Sequence, residues 1–300
     1  MAISSVRAKI NGTWHTLTLD SSTGRYKATI TAPGATSFNL DGGYYNVEIE
    51  ATNDAGTKGT ADGSSIEGLR LVVKEKIAPT ITIVSPSEGA YVSNNKQPVV
   101  FTIVDESGGS GIDQSSIAVT LDATAVANST LKYTAISNGY SVTYTPATAL
   151  ADGAHTIKIV ASDNDGNAAA AKSTTFTVDT VPPTLNITAP TDGLITASSS
   201  LGVIGVTNDT TSSPVTISIK LNGTDQGAVS VASDGKFSKT IVLAEGNNTI
   251  VITATGAAGK VSTVTRTVKL DTSVPKITSA SITPNPVDAG ATMVIEVVVE

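Results

Sequence analysis

The 300-residue chain carries 19 Lys and Arg against 26 Asp and Glu, a formal net charge of −7, and its charged fraction of 15 % lies below the roughly 25 % of an average soluble domain. A negative balance with only 4 % aromatic residues argues against a nucleic-acid binder, which needs clustered Lys and Arg for phosphates and rings for base stacking. With no cysteine the chain has no disulfide, no thiolate metal site and no thiol nucleophile, while 40 % hydrophobic residues suffice for two or three folded domains.

The 26 Gly and 12 Pro, with abundant Thr, Ser and Val, point to many short strands separated by turns, because β-branched side chains suit a pleated surface. The first ten residues, Met1 to Ile10, alternate apolar and polar like a strand and lack the apolar core of a signal peptide. No run of about 18 apolar residues occurs downstream. The expectation is an all-β chain with no Sec signal and no membrane insertion.

Internal repeats organise the rest of the chain. Residues 47–56 read VEIEATNDAG, 157–166 IKIVASDNDG and 250–259 IVITATGAAG, which makes Ala51, Ala161 and Ala254 equivalent. Each is a strand running into a turn closed by Gly56, Gly166 or Gly259, preceded by the turn signals Gly42-Gly43, Asp152-Gly153 and Glu245-Gly246. A second repeat marks junctions: Pro79–Pro86 reads PTITIVSP, Pro183–Pro190 reads PTLNITAP, each followed by an acidic-Gly pair, and Pro275-Lys276-Ile277-Thr278 begins a third copy. Proline fixes its own φ and cannot donate to a ladder, so a strand flanked by prolines suits an edge strand entering a new domain. Boundaries therefore fall near 78, 181 and 274. The expected domains are residues 1–77, 78–180 and 181–274, followed by a strand segment, 275–300. Units of this length with about seven short strands predict immunoglobulin-like β-sandwiches in tandem, an elongated rod, of the disulfide-free kind.

Strict alternation assigns the cores. Val99, Phe101 and Ile103 face inward in the middle domain, opposite Ile157, Ile159 and Ala161. In the last domain Val215, Ile217, Ile219 and Leu221 share that role with Ile250, Ile252 and Ala254. The C-terminal segment holds two strands, Ile277 to Ile282 and Met293 to Val299. Its apolar run Met293, Val294, Ile295, Val297 and Val299 predicts a docking strand that pairs with another chain or another copy, or else the first strands of a fourth domain.

His15 and His155 are the only histidines, and both read as surface strand residues beside turns. No G-x-S-x-G elbow, P-loop or dinucleotide fingerprint is present, so the expectation is no enzyme and no cofactor. Calcium is the one ion with a case: Asp105 and Asp113 bracket a Gly/Ser-rich loop, and Asp163 and Asp165 lie in an Asp-Asn-Asp-Gly turn. Asn, Asp and Gly are equally good turn formers, and the corresponding turn Gly256–Gly259 has no carboxylate. Tyr140 and Tyr144 share strand parity and so are candidates for stacking on a glycan, against core packing as the plainer use.

With these motifs in hand, residues 78–274 resemble the tandem bacterial Ig-like domains of surface adhesins and phage structural proteins. The carrying features are Pro79-Thr80-Ile81, Pro183-Thr184-Leu185, the acidic-Gly pairs Glu88-Gly89 and Asp192-Gly193, and the A-[TS]-x-x-[AD]-G strand ends. The start of the chain, Gly24–Pro33 and Gly42–Tyr45 are similar to Ig-like proteins encoded among prophage tail genes of Gram-positive bacteria. The resemblance implies a non-enzymatic structural or adhesive component of a phage or tailocin tail. Its partners would be other tail or virion proteins and bacterial envelope glycans, with several copies per particle. The implied location is the virion, or the host cytoplasm before lysis. The competing expectations are a cell-surface adhesin stalk and a carbohydrate-binding accessory module.

Overall fold

The computed structural model describes residues 2–300. Strands dominate throughout, and helical geometry among the described residues is confined to single 3-10 turns such as Gln114–Ser116. Two compact units form, one ending at Val178 and the other beginning at Asp179.

The first unit starts with a five-stranded antiparallel sheet in the order Arg25–Lys27, Thr13–Asp20, Ile3–Ile10, Glu48–Asn53 and Lys58–Ala61. Tyr45–Asn46 and Arg70–Leu71 add a separate two-residue ladder. This departs from the sandwich expected for residues 1–77. Val6, Ala8 and Tyr45 are buried, but both hydrophobic clusters among the described residues lie further along the chain. The cause is compositional: residues 31–43, with three Gly and a Pro, have no alternating apolar run from which to build a larger second sheet.

Residues 80–178 do build two sheets. One has the order Lys132–Ile136, Gly139–Tyr144, Val99–Val104 and Thr80–Ser85. The other runs Thr124–Val126, Ala118–Leu121, Gly153–Val160, Lys172–Val178 and Ala90–Val92. The chain changes sheets early, since Thr80–Ser85 pairs antiparallel with Val99–Val104 while Ala90–Val92 pairs parallel with Lys172–Val178. Val99, Phe101, Ile103 and Val142 from one sheet meet Val119, Ile157 and Ile159 from the other, each at most 1 % exposed. Alternation with period two is what puts these side chains on one face.

The second unit repeats the plan. Thr184–Ala189, Ser200–Asn208 and Lys236–Val242 form one sheet, and Leu194–Thr196, Val261–Leu270, Gly246–Thr255, Thr216–Leu221 and Thr224–Asp225 the other. Val203, Phe237 and Ile241 pack with Ile217, Ile219, Leu221, Ile250, Ile252 and Ala254, and Val215 is half-buried at the margin. Ile277–Thr283 and Val294–Val299 pair antiparallel with each other as a two-stranded sheet. The fold is all-β, with Ig-like sandwiches in tandem.

Glycine is indispensable at Gly139, where a Cβ would lie 2.0 Å from the Ile103 carbonyl oxygen. Phe101→Ala is expected to cost about 3–5 kcal/mol in denaturant unfolding, by lost transfer energy and the cavity left behind. Val242→Ala, at a side chain 69 % exposed, should change stability by less than about 0.5 kcal/mol.

Candidate functional site

The densest chemistry lies where the segment leaving the N-terminal sheet meets the loop after Val99–Val104. Glu75, Asp105 and Glu106 each aim a carboxylate oxygen into one space, all within 4.8 Å of one another. Asp105 is 4 % exposed. Its Oδ2 accepts from the Gly111 N–H at 2.7 Å, whereas its Oδ1, like Glu106 Oε2, is buried and finds no partner among the described residues. Glu75 Oε1 accepts from the Ser110 hydroxyl at 3.1 Å and Oε2 from the Ile77 N–H at 2.8 Å. None of the ion pairs among the described residues involves these three acids. Burial, reinforced by the Asp105 and Glu75 carboxylates, pushes the Glu106 carboxyl up to about 7.

The surrounding loops are held by hydrogen bonds, one of them from the charged Lys74 Nζ to the Asp165 carbonyl at 3.0 Å. Thr36 Oγ1 donates to Asp165 Oδ2 at 2.6 Å, Asn39 Nδ2 to the Gly109 carbonyl at 2.7 Å, and the Glu75 N–H to Asp165 Oδ2 at 3.0 Å. Asn167 Nδ2 closes the ring on the Glu75 carbonyl at 3.2 Å. Four stretches separated in sequence, near residues 36–39, 74–75, 105–111 and 163–167, are thereby knitted together.

Of the four acids singled out from sequence, Asp105 lies in this cluster and the others serve elsewhere. Asp165 is the acceptor just described. Asp163 receives the Asn167 backbone and side-chain N–H groups, both at 2.8 Å. Asp113 stands apart, capping Gln114–Ser116 through the Ser115 N–H and hydroxyl. Sequence reasoning missed Glu75, and it singled out the stretch 105–113 without choosing Glu106 as a ligand. A signal for Glu75 did exist: an acid stands four residues before each junction proline, Glu75 before Pro79, Asp179 before Pro183 and Asp271 before Pro275.

The second unit has the corresponding seam. Pairing of Thr80 with Val104 and of Thr184 with Asn208 makes Asp105 equivalent to Asp209. There the Ser212 hydroxyl sits between Asp179 and Asp209, 2.9 Å from the latter, and Thr210 occupies the position of Glu106. Burial opposes ionisation of Asp209, but the Ser212 N–H and hydroxyl hold its carboxyl below the usual range.

Tyr140 and Tyr144 do share a face, and it is the one they share with fully buried Val142. Both rings pack against the core, Tyr140 meeting Tyr133 edge-on at 5.9 Å. Both rings are half-buried, one side packed against the core. Trp14 is more exposed, but the Arg7 guanidinium lies 4.2 Å over its ring. His155 corrects the expectation of a surface residue. It is 8 % exposed, with Nδ1 2.7 Å from Asp122 Oδ2 and Nε2 2.8 Å from the Ala151 carbonyl.

The C-terminal residues Met293, Val294, Ile295, Val297 and Val299 are all exposed. The strand expected to seek another chain is paired along one edge with Ile277–Thr283, leaving the faces of the hairpin bare.

Comparison with known proteins bears on this architecture. Residues 90–180 match the family described as bacterial Ig-like domain, and residues 183–272 match glucodextranase, domain B. Both matched stretches are the Ig-like sandwiches described above, standing in tandem along the chain. No curated protein matches it. Similar solved structures include the fibronectin(III)-like modules of Clostridium thermocellum CbhA, 18 % identical over 63 % of this chain and 93 % of that one, with a TM-score of 0.43. Drosophila N-cadherin EC1-3 is 14 % identical over 89 % of each chain, with a TM-score of 0.29. Bacteroides ovatus SGBP-B, solved with a mixed-linkage heptasaccharide, is 17 % identical over 94 % of this chain and 66 % of that one, with a TM-score of 0.24.

At His155, burial disfavours the charged imidazole, but the Ala151 carbonyl and Asp122 carboxylate outweigh it and raise the pKa above 6.5. A raised folded-state pKa stabilises fully below the unfolded value and loses its effect as pH rises through the folded one. Asp122→Asn is therefore expected to destabilise the chain more in mildly acidic than in alkaline buffer, read from denaturant midpoints across pH.

Proposed function

We propose that the chain is a non-enzymatic structural and adhesive component of a phage or tailocin tail, seated on the particle through its C-terminal hairpin. The observation that supports this reading is the apolar face of that hairpin, which residues 2–300 leave uncovered and which a sheet from a partner or from further chain would cover. The hairpin repeats the antiparallel pairing of Thr80–Ser85 with Val99–Val104 and of Thr184–Ala189 with Ser200–Asn208, with its register irregularity at the start rather than the end of its first strand. In those two pairs a second sheet covers the inward face and leaves Phe101 and Val203 fully buried. At the hairpin the matching face, Ile277, Ala280 and Ile282 with Ile295, Val297 and Val299, is left open to solvent, and Ile295 is 59 % exposed.

An apolar sheet face of this kind is stabilised by burial against another sheet, at about 25 cal/mol per Å² of apolar area removed from water. The partner that fits is a β-rich tail protein offering an apolar sheet face. The sandwiches then serve as spacers and contact surfaces, many weak contacts adding up through the several copies a particle holds. The resemblance of the N-terminal stretch to prophage tail-encoded proteins supports the choice of a phage-type particle.

Mass spectrometry of purified phage or tailocin particles from the source strain is expected to find the chain at fixed stoichiometry. Recovery solely in the bacterial envelope fraction would refute the tail role in favour of an adhesin stalk. Val297→Lys, on the exposed strand, is expected to leave thermal unfolding of both units unchanged while reducing incorporation into particles at least about tenfold, the effect of roughly 1.4 kcal/mol at an interface. Binding to a soluble glycan with unchanged incorporation of the variant would instead favour a carbohydrate-binding module.

A further inference from the structure

We propose that Glu75, Asp105 and Glu106 form a calcium site that fastens the segment leaving the N-terminal sheet to the loop at the head of the middle sandwich. The inference stands apart from the particle assignment and concerns the purified chain alone.

Three features point to a cation. The donor set is oxygen only, three carboxylates converging within 4.8 Å, which suits a hard ion and offers nothing to a metal that prefers nitrogen or sulfur. Two of the oxygens, Asp105 Oδ1 and Glu106 Oε2, are buried and lack hydrogen-bond donors among the described residues, and Asp105 is almost wholly enclosed. Buried acceptors left unmet are costly, and an ion with open coordination positions is the group that satisfies several at once. Finally, Gly109 keeps the wall clear: a Cβ there would lie 2.5 Å from Asp105 Oδ2 and 2.8 Å from Glu106 Cδ.

The seam of the second unit serves as an internal comparison. It keeps the acid before the junction proline, the acid at the strand end and a bridging serine, namely Asp179, Asp209 and Ser212. Thr210 stands there in place of the third carboxylate, and the serine hydroxyl links the two acids directly. At the first seam the Ser110 hydroxyl donates to Glu75 and accepts from the Asp165 N–H rather than bridging two acids, the Gly111 N–H takes one oxygen of Asp105, and Glu106 adds a third carboxyl group. The third carboxyl group gives the first seam an additional oxygen ligand that the second lacks, which suits it to a cation. Calcium fits better than magnesium, because carboxylates from a loop and a linker supply an irregular, adaptable shell rather than a fixed octahedron.

The test is thermal unfolding of the full chain, first chelated and then titrated with calcium chloride. At about 100-fold excess over its dissociation constant, calcium is expected to raise the melting temperature of the first unit by about 5–10 °C. Glu106→Gln keeps the volume and removes one charge, so in chelator it should melt no lower than the parent, while its calcium affinity falls at least about tenfold. Asp179→Asn, at the other seam, should retain the full calcium response. An unchanged melting temperature on adding calcium to the parent chain would overturn the proposal. So would an undiminished response in both Glu106→Gln and Glu75→Gln.

Discussion

Burial of one face of each strand is the constraint on which the structure depends. In both complete sandwiches a strand of six to nine residues presents alternate side chains inward, Val99, Phe101 and Ile103 in one and Val203 in the other, and the opposite sheet answers with Ile157 and Ile159 or Ile250 and Ile252. Where the chain supplies that answer, the result is a closed core. Where it does not, as in residues 2–77 and the C-terminal hairpin, sheets remain with apolar residues such as Leu19 and Val294 in contact with solvent. The same rule thus accounts for the stable parts of the molecule and for the surface that awaits a partner.

Period-two alternation and the proline-flanked junctions are local patterns, so the inward positions of the middle and last sandwiches could be read from them directly. Tyr140 and Tyr144 show the limit of such a pattern, because parity says that two residues share a face without saying which face is covered. The N-terminal segment shows another. Its strand-and-turn repeat at residues 47–56 matches the later copies, yet a shared strand end does not guarantee a second sheet.

The acidic seam was only partly legible, for a physical reason. Asp and Asn in turns serve equally as acceptors for nearby N–H groups and as ligands for ions, so composition cannot separate Asp113, which caps a turn, from Asp105, which points into a cluster. Glu75 reaches that cluster from a segment thirty positions upstream, through a meeting of loops that only the fold creates. His155 is similar: its neighbours read as an exposed strand start, while the Asp122 carboxylate reaches it from 33 residues away and the Ala151 carbonyl from the turn just before it.

The early change of sheet in each sandwich has a mechanical side. In both, the incoming chain lies parallel to the strand by which it leaves: Ala90–Val92 runs beside Phe176–Val178, and Leu194–Thr196 beside Val268–Leu270. Tension applied along the chain therefore pulls these neighbours past one another and loads their ladder of hydrogen bonds together, instead of peeling it bond by bond. Rupture then requires several bonds to fail at once, a high barrier to forced unfolding in a process governed by rate rather than by equilibrium stability. A chain joined in this way resists extension at its entry points while its outer faces stay free to vary.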